Sequence, residues 1–213
     1  MATYDLDEQE QLDSLKAWWK RWGSLAMLAL AVLIAAGAGW RYWQTRTQTQ
    51  SLEAATVYQK LTQSLGANDA KGAREAGAML IDQYPDTAYA PRAALLLAKL
   101  NVIGKDMKSA QAQLEWAADH SKEPAVKDLA RLRLAGVQLD QKQYDAALKT
   151  LDSAHSDAYA FRFDDLKGDV LLAQGKQADA RSAFQKAFGK MADDNPYRSI
   201  VELKLDALGG QAK

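Results

Sequence analysis

The chain has no cysteine, only four prolines and two histidines, and a formal net charge of zero. The missing cysteine excludes disulfides, thiolate nucleophiles and thiolate metal sites together. It suits any redox compartment, including an oxidising one where stray thiols are a liability. Zero net charge removes the basic excess that nucleic-acid binding draws on, so no nucleic acid is expected as a partner. Few prolines, with Ala, Leu, Gln, Lys and Asp abundant, read as helix. No segment shows the alternating β-branched pattern of a strand. There is no glycine-rich phosphate loop, no nucleophile elbow and no paired-carboxylate signature. His120 and His155 sit near expected helix ends, where a histidine complements the helix dipole, and are not spaced for a shared metal. The expectation is a protein without catalysis, metal or cofactor.

What the chain does have is one long apolar run. Gly23 to Trp40 is 18 residues without a charge. As a helix it spans about 27 Å, close to the hydrocarbon thickness of a bilayer. Trp18, Trp19 and Trp22 flank one end; Trp40, Tyr42 and Trp43 flank the other. Indole and phenol rings favour the membrane interface, and Lys20, Arg21 and Arg41 can reach headgroups. The reading is a membrane-spanning helix over 23–43, contacting lipid. Its rival is a cleaved signal peptide ending near Ala36, Ala38 and Gly39. The acidic lead of Asp5, Asp7, Glu8, Glu10 and Asp13 argues against that. Lys16, Lys20 and Arg21 before the run, against Arg41 and Arg46 after it, favour a cytoplasmic N-terminus. Residues 1–22 then form a tail, either an amphipathic surface helix carrying Leu12, Leu15, Trp19 and Trp22 or an extension of the span.

Residues 44–213 repeat. Ala110, Leu114 and Ala117 recur 37 residues on as Ala147, Leu151 and Ala154, and 33 further on as Ala180, Phe184 and Ala187. Ala98 recurs with the same shifts as Ala135 and Gly168. A fainter copy sets Ser64, Ala76 and Leu80 about 34 residues before the first. Small residues at fixed places let paired helices approach closely. Gly104 and Gly175 mark breaks, Pro124 a helix start, and Asn195-Pro196 the opening of a last, capping helix. Each helix is amphipathic and needs neighbours, so a stack of three to four hairpins is expected.

The pattern resembles the tetratricopeptide repeat over roughly 91–120, 128–157 and 161–190. That resemblance implies an all-α solenoid. Its inner face would carry Arg92, Leu95, Lys99, Val102, Leu132, Gly136, Leu139, Arg162, Asp165, Asp169 and Leu172. The Lys and Asn cluster of a carboxylate-terminus clamp is missing. The whole layout resembles a bacterial inner-membrane family, the ancillary subunits of the SecYEG translocon. The blocks Gly39-Trp40-Arg41-Tyr42-Trp43, Leu132-Arg133-Leu134-Ala135 and Asp145-Ala146-Ala147-Leu148-Lys149-Thr150-Leu151-Asp152 carry the likeness, with Ala180-Arg181-Ser182-Ala183 after them. It implies a periplasmic domain, association with SecYEG and with a membrane-anchored parvulin-like periplasmic chaperone, and transfer of nascent secretory proteins. It also implies a side-role restraining a cytoplasmic stress-response regulator. A general envelope scaffold, binding cell-wall or outer-membrane assembly proteins, is the alternative.

Overall fold

A computed structural model describes the backbone of residues 4–209 and the side chains of 12–209 apart from residue 26. The side chains of the acidic run at 5–10 therefore lie outside the described residues. Among the described residues the structure is helical throughout: α1 (Tyr4–Gly66), α2 (Ala70–Gln83), α3 (Tyr89–Ile103), α4 (Met107–His120), α5 (Pro124–Asp140), α6 (Tyr144–Leu151), α7 (Asp157–Ala173), α8 (Gln177–Gly189) and α9 (Arg198–Ala207). The chain divides into two compact units, residues 1–49 and 50–213.

The first unit is the long α1 helix up to Thr49. Leu28, Leu33, Ile34 and their apolar neighbours stay exposed along it. Thr47 and Thr49 turn their hydroxyls back to the carbonyls of Trp43 and Thr45, at 2.9 and 3.0 Å. Among the described residues no single helix is long and apolar enough to cross a membrane. The pair Leu12–Leu25 and Met27–Gly66, set at 45°, meets that requirement together.

The second unit stacks four helical hairpins: the last turns of α1 with α2, α3 with α4, α5 with α6, and α7 with α8. Helix α9 covers the final one. One turn closes every hairpin. Asn68, Lys105, Lys142 and Gly175 are left-handed, with φ of 56°, 61°, 60° and 78°. The next residue's N–H reaches back to a carbonyl five positions earlier: Asp69 to Ser64, Asp106 to Asn101, Gln143 to Gln138 and Lys176 to Leu171, at 2.8–2.9 Å. This is the Schellman closure, which satisfies carbonyls stranded at a helix end. Asp69 and Asp106 also cap the following helix, each accepting a backbone N–H at 3.0 Å from Gly72 and Ser109.

Turn positions 68, 105, 142 and 175 step by 37, 37 and 33. The later shifts are those of the repeat, but the first corrects the expected 34. Leu61, Ala73, Gly77 and Leu80 occupy the places of Ala98, Ala110, Leu114 and Ala117, and all are buried. The register was obscured because a glycine stands where the other repeats have a large residue. Leu97 fills that gap, and a Cβ on Gly77 would come within 2.8 Å of it.

The small positions work as spacers. Ala98 and Ala135 are buried, and a Cβ on Gly168 would come 2.4 Å from the Phe184 ring. Ala110, Leu114, Ala117, Ala147, Leu151, Ala180, Phe184 and Ala187 are all buried. Ala154 is a correction. It is exposed and lies beyond α6, which stops at Leu151. Ser153 Oγ caps the Thr150 carbonyl at 2.7 Å, and the His155 ring stacks on Phe163 with centroids 4.1 Å apart. The chain leaves the helix before Ala154 reaches the core, and only its carbonyl is used, by Arg131 Nη1. The buried Asp128 ties α5 to the start of α7, accepting the Ser156 hydroxyl at 2.6 Å and its N–H at 3.0 Å. At the C-terminal end the helix begins two residues later than Asn195-Pro196 suggests. Asn195 Oδ1 accepts the Tyr197 N–H at 2.9 Å, and α9 starts at Arg198.

A left-handed lysine costs about 1–2 kcal/mol, of which glycine's chain entropy returns part. Lys105→Gly and Lys142→Gly should each stabilise the domain by about 0.5–1 kcal/mol. Gly175→Ala should destabilise it similarly. Urea denaturation followed by circular dichroism measures all three, and the opposite ordering would contradict the turn assignment.

Candidate functional site

Helices α3, α5 and α7 share one face of the hairpin stack, and two hollows open along it. One, of about 580 Å³, is lined by Leu129, Leu132, Arg133, Tyr159, Arg162, Asp165, Leu166, Asp169 and Tyr197. The other, of about 400 Å³, is lined by Ala98, Lys99, Val102, Ile103, Leu114, Arg133, Gly136, Val137 and Asp140. Arg133 borders both. The two hollows make a groove whose walls are leucine, valine and tyrosine, with charged side chains at intervals.

Of the residues expected on the inner face, Lys99, Val102, Leu132, Gly136, Arg162, Asp165 and Asp169 do line these hollows. Four do not. Leu95 is in the core, 6 % exposed, packed among Ala94, Leu114 and Ala117. Leu95 shares a helical stripe with Lys99 and Val102, but it packs into the cluster shared with α4 and α5. Leu139 packs partly buried against Ala147 and Leu151. Arg92, in the first turn of α3, is taken up elsewhere, donating to Glu123 of the α4–α5 turn at 2.6 Å and to the Ala88 carbonyl at 2.7 Å. Leu172 is exposed at the end of α7, outside both hollows. Leu129, Arg133, Tyr159 and Leu166 were missed, although Leu129, Leu132, Arg133 and Gly136 form a helical stripe visible in the sequence. Tyr197 comes from outside the repeats, and no repeat pattern could have pointed to it.

The acids of the larger hollow are already engaged. Lys204 reaches from α9 to Asp165 and to Asp169, both at 2.8 Å, and the Tyr197 hydroxyl donates to Asp165 at 2.9 Å. Asp165 is a buried carboxylate, so these donors are what make its charge tolerable. Burial opposes charge on Lys204, but its bonds to the two carboxylates outweigh that and hold its pKa above the ordinary 10.5. Burial raises Asp169, with Lys204 pulling the other way. Burial, then the hydrogen bond to Asp165, raises Tyr197. The Arg162 guanidinium stands 4.6 Å above the Tyr197 ring and 5.5 Å from that of Phe161.

Within the first unit, Trp18, Trp19 and Trp22 are exposed, as are Trp40, Tyr42 and Trp43. Trp18 meets Trp19 with centroids 6.3 Å apart, and Trp40 meets Trp43 at 5.9 Å. Arg21 and Arg41 are exposed beside these two aromatic clusters. The two histidines serve local packing: His120 stacks on Trp116 with centroids 4.3 Å apart, as His155 does on Phe163.

Lys204→Met leaves Asp165 and Asp169 facing each other without a cation. It should cost about 2–4 kcal/mol of domain stability, as for breaking a buried ion pair. The sign of the pH dependence follows from the raised lysine. Its contribution is complete below the unfolded value and is lost as pH rises through the higher folded value. Wild type should therefore lose stability above about pH 10 more steeply than the variant. Chemical denaturation at neutral and alkaline pH measures both effects.

The family model of the tetratricopeptide repeat-like domain matches residues 16–210, taking in the apolar run as well as the hairpins. Three full-length relatives are each named "Ancillary SecYEG translocon subunit". The protein of Neisseria gonorrhoeae is 33% identical, over 95% of this chain and 98% of the relative. That of Escherichia coli is 32% identical, over 98% and 99%. That of Haemophilus influenzae is 30% identical, over 96% and 99%. Coverage this complete leaves no room for the apolar run to fall outside the likeness. With its four stacked hairpins and capping helix, the chain belongs to the ancillary SecYEG translocon subunit family, built on a tetratricopeptide repeat-like domain.

Proposed function

We propose that this chain is a single-pass inner-membrane protein that accompanies the SecYEG translocon and receives polypeptides on its repeat domain. Residues 23–43 cross the bilayer, 1–22 lie in the cytoplasm, and 44–213 form the periplasmic domain. The observation that carries the reading is the near-complete coverage by relatives named as translocon subunits, apolar run included. Physical chemistry supports the anchor. Trp18, Trp19, Trp22 and Arg21 on one side and Trp40, Arg41, Tyr42 and Trp43 on the other are exposed groups of the kind that settle at the two interfaces. Between them Leu28, Leu33 and Ile34 present apolar surface that only lipid or another helix covers favourably. Ala35 and Gly39, one turn apart, put small residues on one face where such a helix can approach closely.

The role is one of contact. The groove on α3, α5 and α7 holds secretory polypeptide as it emerges and passes it to periplasmic chaperones, among them a membrane-anchored parvulin-like one. Repeat stacks use such concave faces for peptide and protein binding. A side-role, restraint of a cytoplasmic stress-response regulator, goes with the family resemblance.

The test is site-specific photocrosslinking in membranes, from photoreactive side chains placed at Ala35 and at Leu132. SecYEG or a membrane-tethered chaperone captured from Ala35, with secretory polypeptide or periplasmic chaperone captured from Leu132, is the expected result. Envelope-assembly proteins at both positions would replace this reading with that of a general scaffold. Cytoplasmic proteins captured from Leu132 would reverse the orientation.

A further inference from the structure

The groove's charges are unequal in one respect. Among the described residues its two arginines make no ion pair, whereas two of its three acids do. Asp165 and Asp169 are bound by Lys204 at 2.8 Å each, and Tyr197 takes another oxygen of Asp165 at 2.9 Å. Arg133, which borders both hollows, is exposed and has no ion pair among the described residues. Arg162, lining the same hollow, likewise has none. Its guanidinium is steadied over the Tyr197 ring at 4.6 Å. A guanidinium stacked on a ring keeps its edge donors available, and those donors fit a carboxylate two at a time. The walls around the pair are Leu129, Leu132 and Leu166.

Resting on the proposed groove, we infer that its preferred occupant is an apolar polypeptide segment bearing acidic side chains, with Arg133 and Arg162 as the specificity-determining residues. Leucine walls take the apolar side chains, and the two guanidiniums take the carboxylates. A basic segment would meet the two guanidiniums and find the carboxylates of Asp165 and Asp169 already engaged by Lys204 and Tyr197. Charge of this kind sets selectivity between segments more than total affinity. The interaction is with side-chain carboxylates along a segment. It therefore needs no free chain end.

The test uses the full chain in phosphatidylcholine nanodiscs and three fluorescein-labelled twelve-residue peptides. The peptides share one leucine-rich frame and carry two Glu, two Gln or two Lys at the same positions. Fluorescence anisotropy should show the Glu peptide binding about tenfold more tightly than the Lys peptide, with Gln between. The double variant Arg133→Glu, Arg162→Glu should invert that order. Both side chains are exposed, so folding is retained and is checked by circular dichroism. Leu132→Asp should weaken all three peptides together. Equal binding of the three, unchanged by the charge reversals but lost in Leu132→Asp, would overturn the acidic preference and leave the groove standing. Binding that ignores Leu132→Asp, or no binding at all, would overturn the groove as well.

Discussion

Two helices can lie side by side only as closely as the side chains between them allow, and this domain depends on places where that side chain is almost nothing. Gly168 admits the Phe184 ring to a position a methyl group would occupy, and Gly77 does the same for Leu97. Ala98 and Ala135 play the part in the other hairpins. Close pairing at these points sets how one hairpin stacks on the next. The apolar clusters then follow one another along the stack: Leu61 and Leu80, then Leu114 and Leu134, then Leu151 and Phe163, then Phe184 and Leu205. Each of the three later hairpins contributes buried residues to two clusters, and the first shares its cluster with Ala93 of the next, so none is a finished core by itself.

The same geometry makes the groove. Because α3, α5 and α7 face one way, residues one and two turns apart on them line a common wall. A stack needs an end, and α9 supplies it by burying Val201 and Leu205 against Phe184 and Phe188. Its other edge reaches round to the groove. Lys204 bridges Asp165 and Asp169 there, and Tyr197 steadies Arg162. The capping helix thus completes the core and also sets which charges the groove has left to offer.

Most of this architecture was legible in the sequence because repetition is legible. The recurring alanines around Leu114, Leu151 and Phe184 carry the stack, and Gly104, Pro124 and Gly175 mark its breaks. The first hairpin was misread by three residues, since Gly77 stands where a large residue marks the other copies. Ala154 was assigned to the core by analogy with Ala117 and Ala187, but α6 ends a turn early and His155 covers Phe163 instead. The groove was legible in part. Periodicity finds the face of a helix, and so found Leu132, Arg162 and Asp169. It does not tell that Leu95, on the same stripe as Lys99 and Val102, is covered by α4 and α5, nor does it find a tyrosine brought from outside the repeat. The expectation of an anchor came from composition alone, from aromatic residues and charges bordering an uncharged run, and it enters the proposed function as a reading of that composition.

The central claim is that the face of α3, α5 and α7 is where polypeptide meets this protein. Hydrogen–deuterium exchange of the full chain in nanodiscs, with and without SecYEG carrying a stalled secretory chain, addresses it directly. The account predicts slowed exchange in α5 and α7, centred on residues 129–136 and 159–169, with α4, α6 and α8 unchanged. Slowed exchange confined to α4, α6 and α8, or none in the repeat domain, would contradict it.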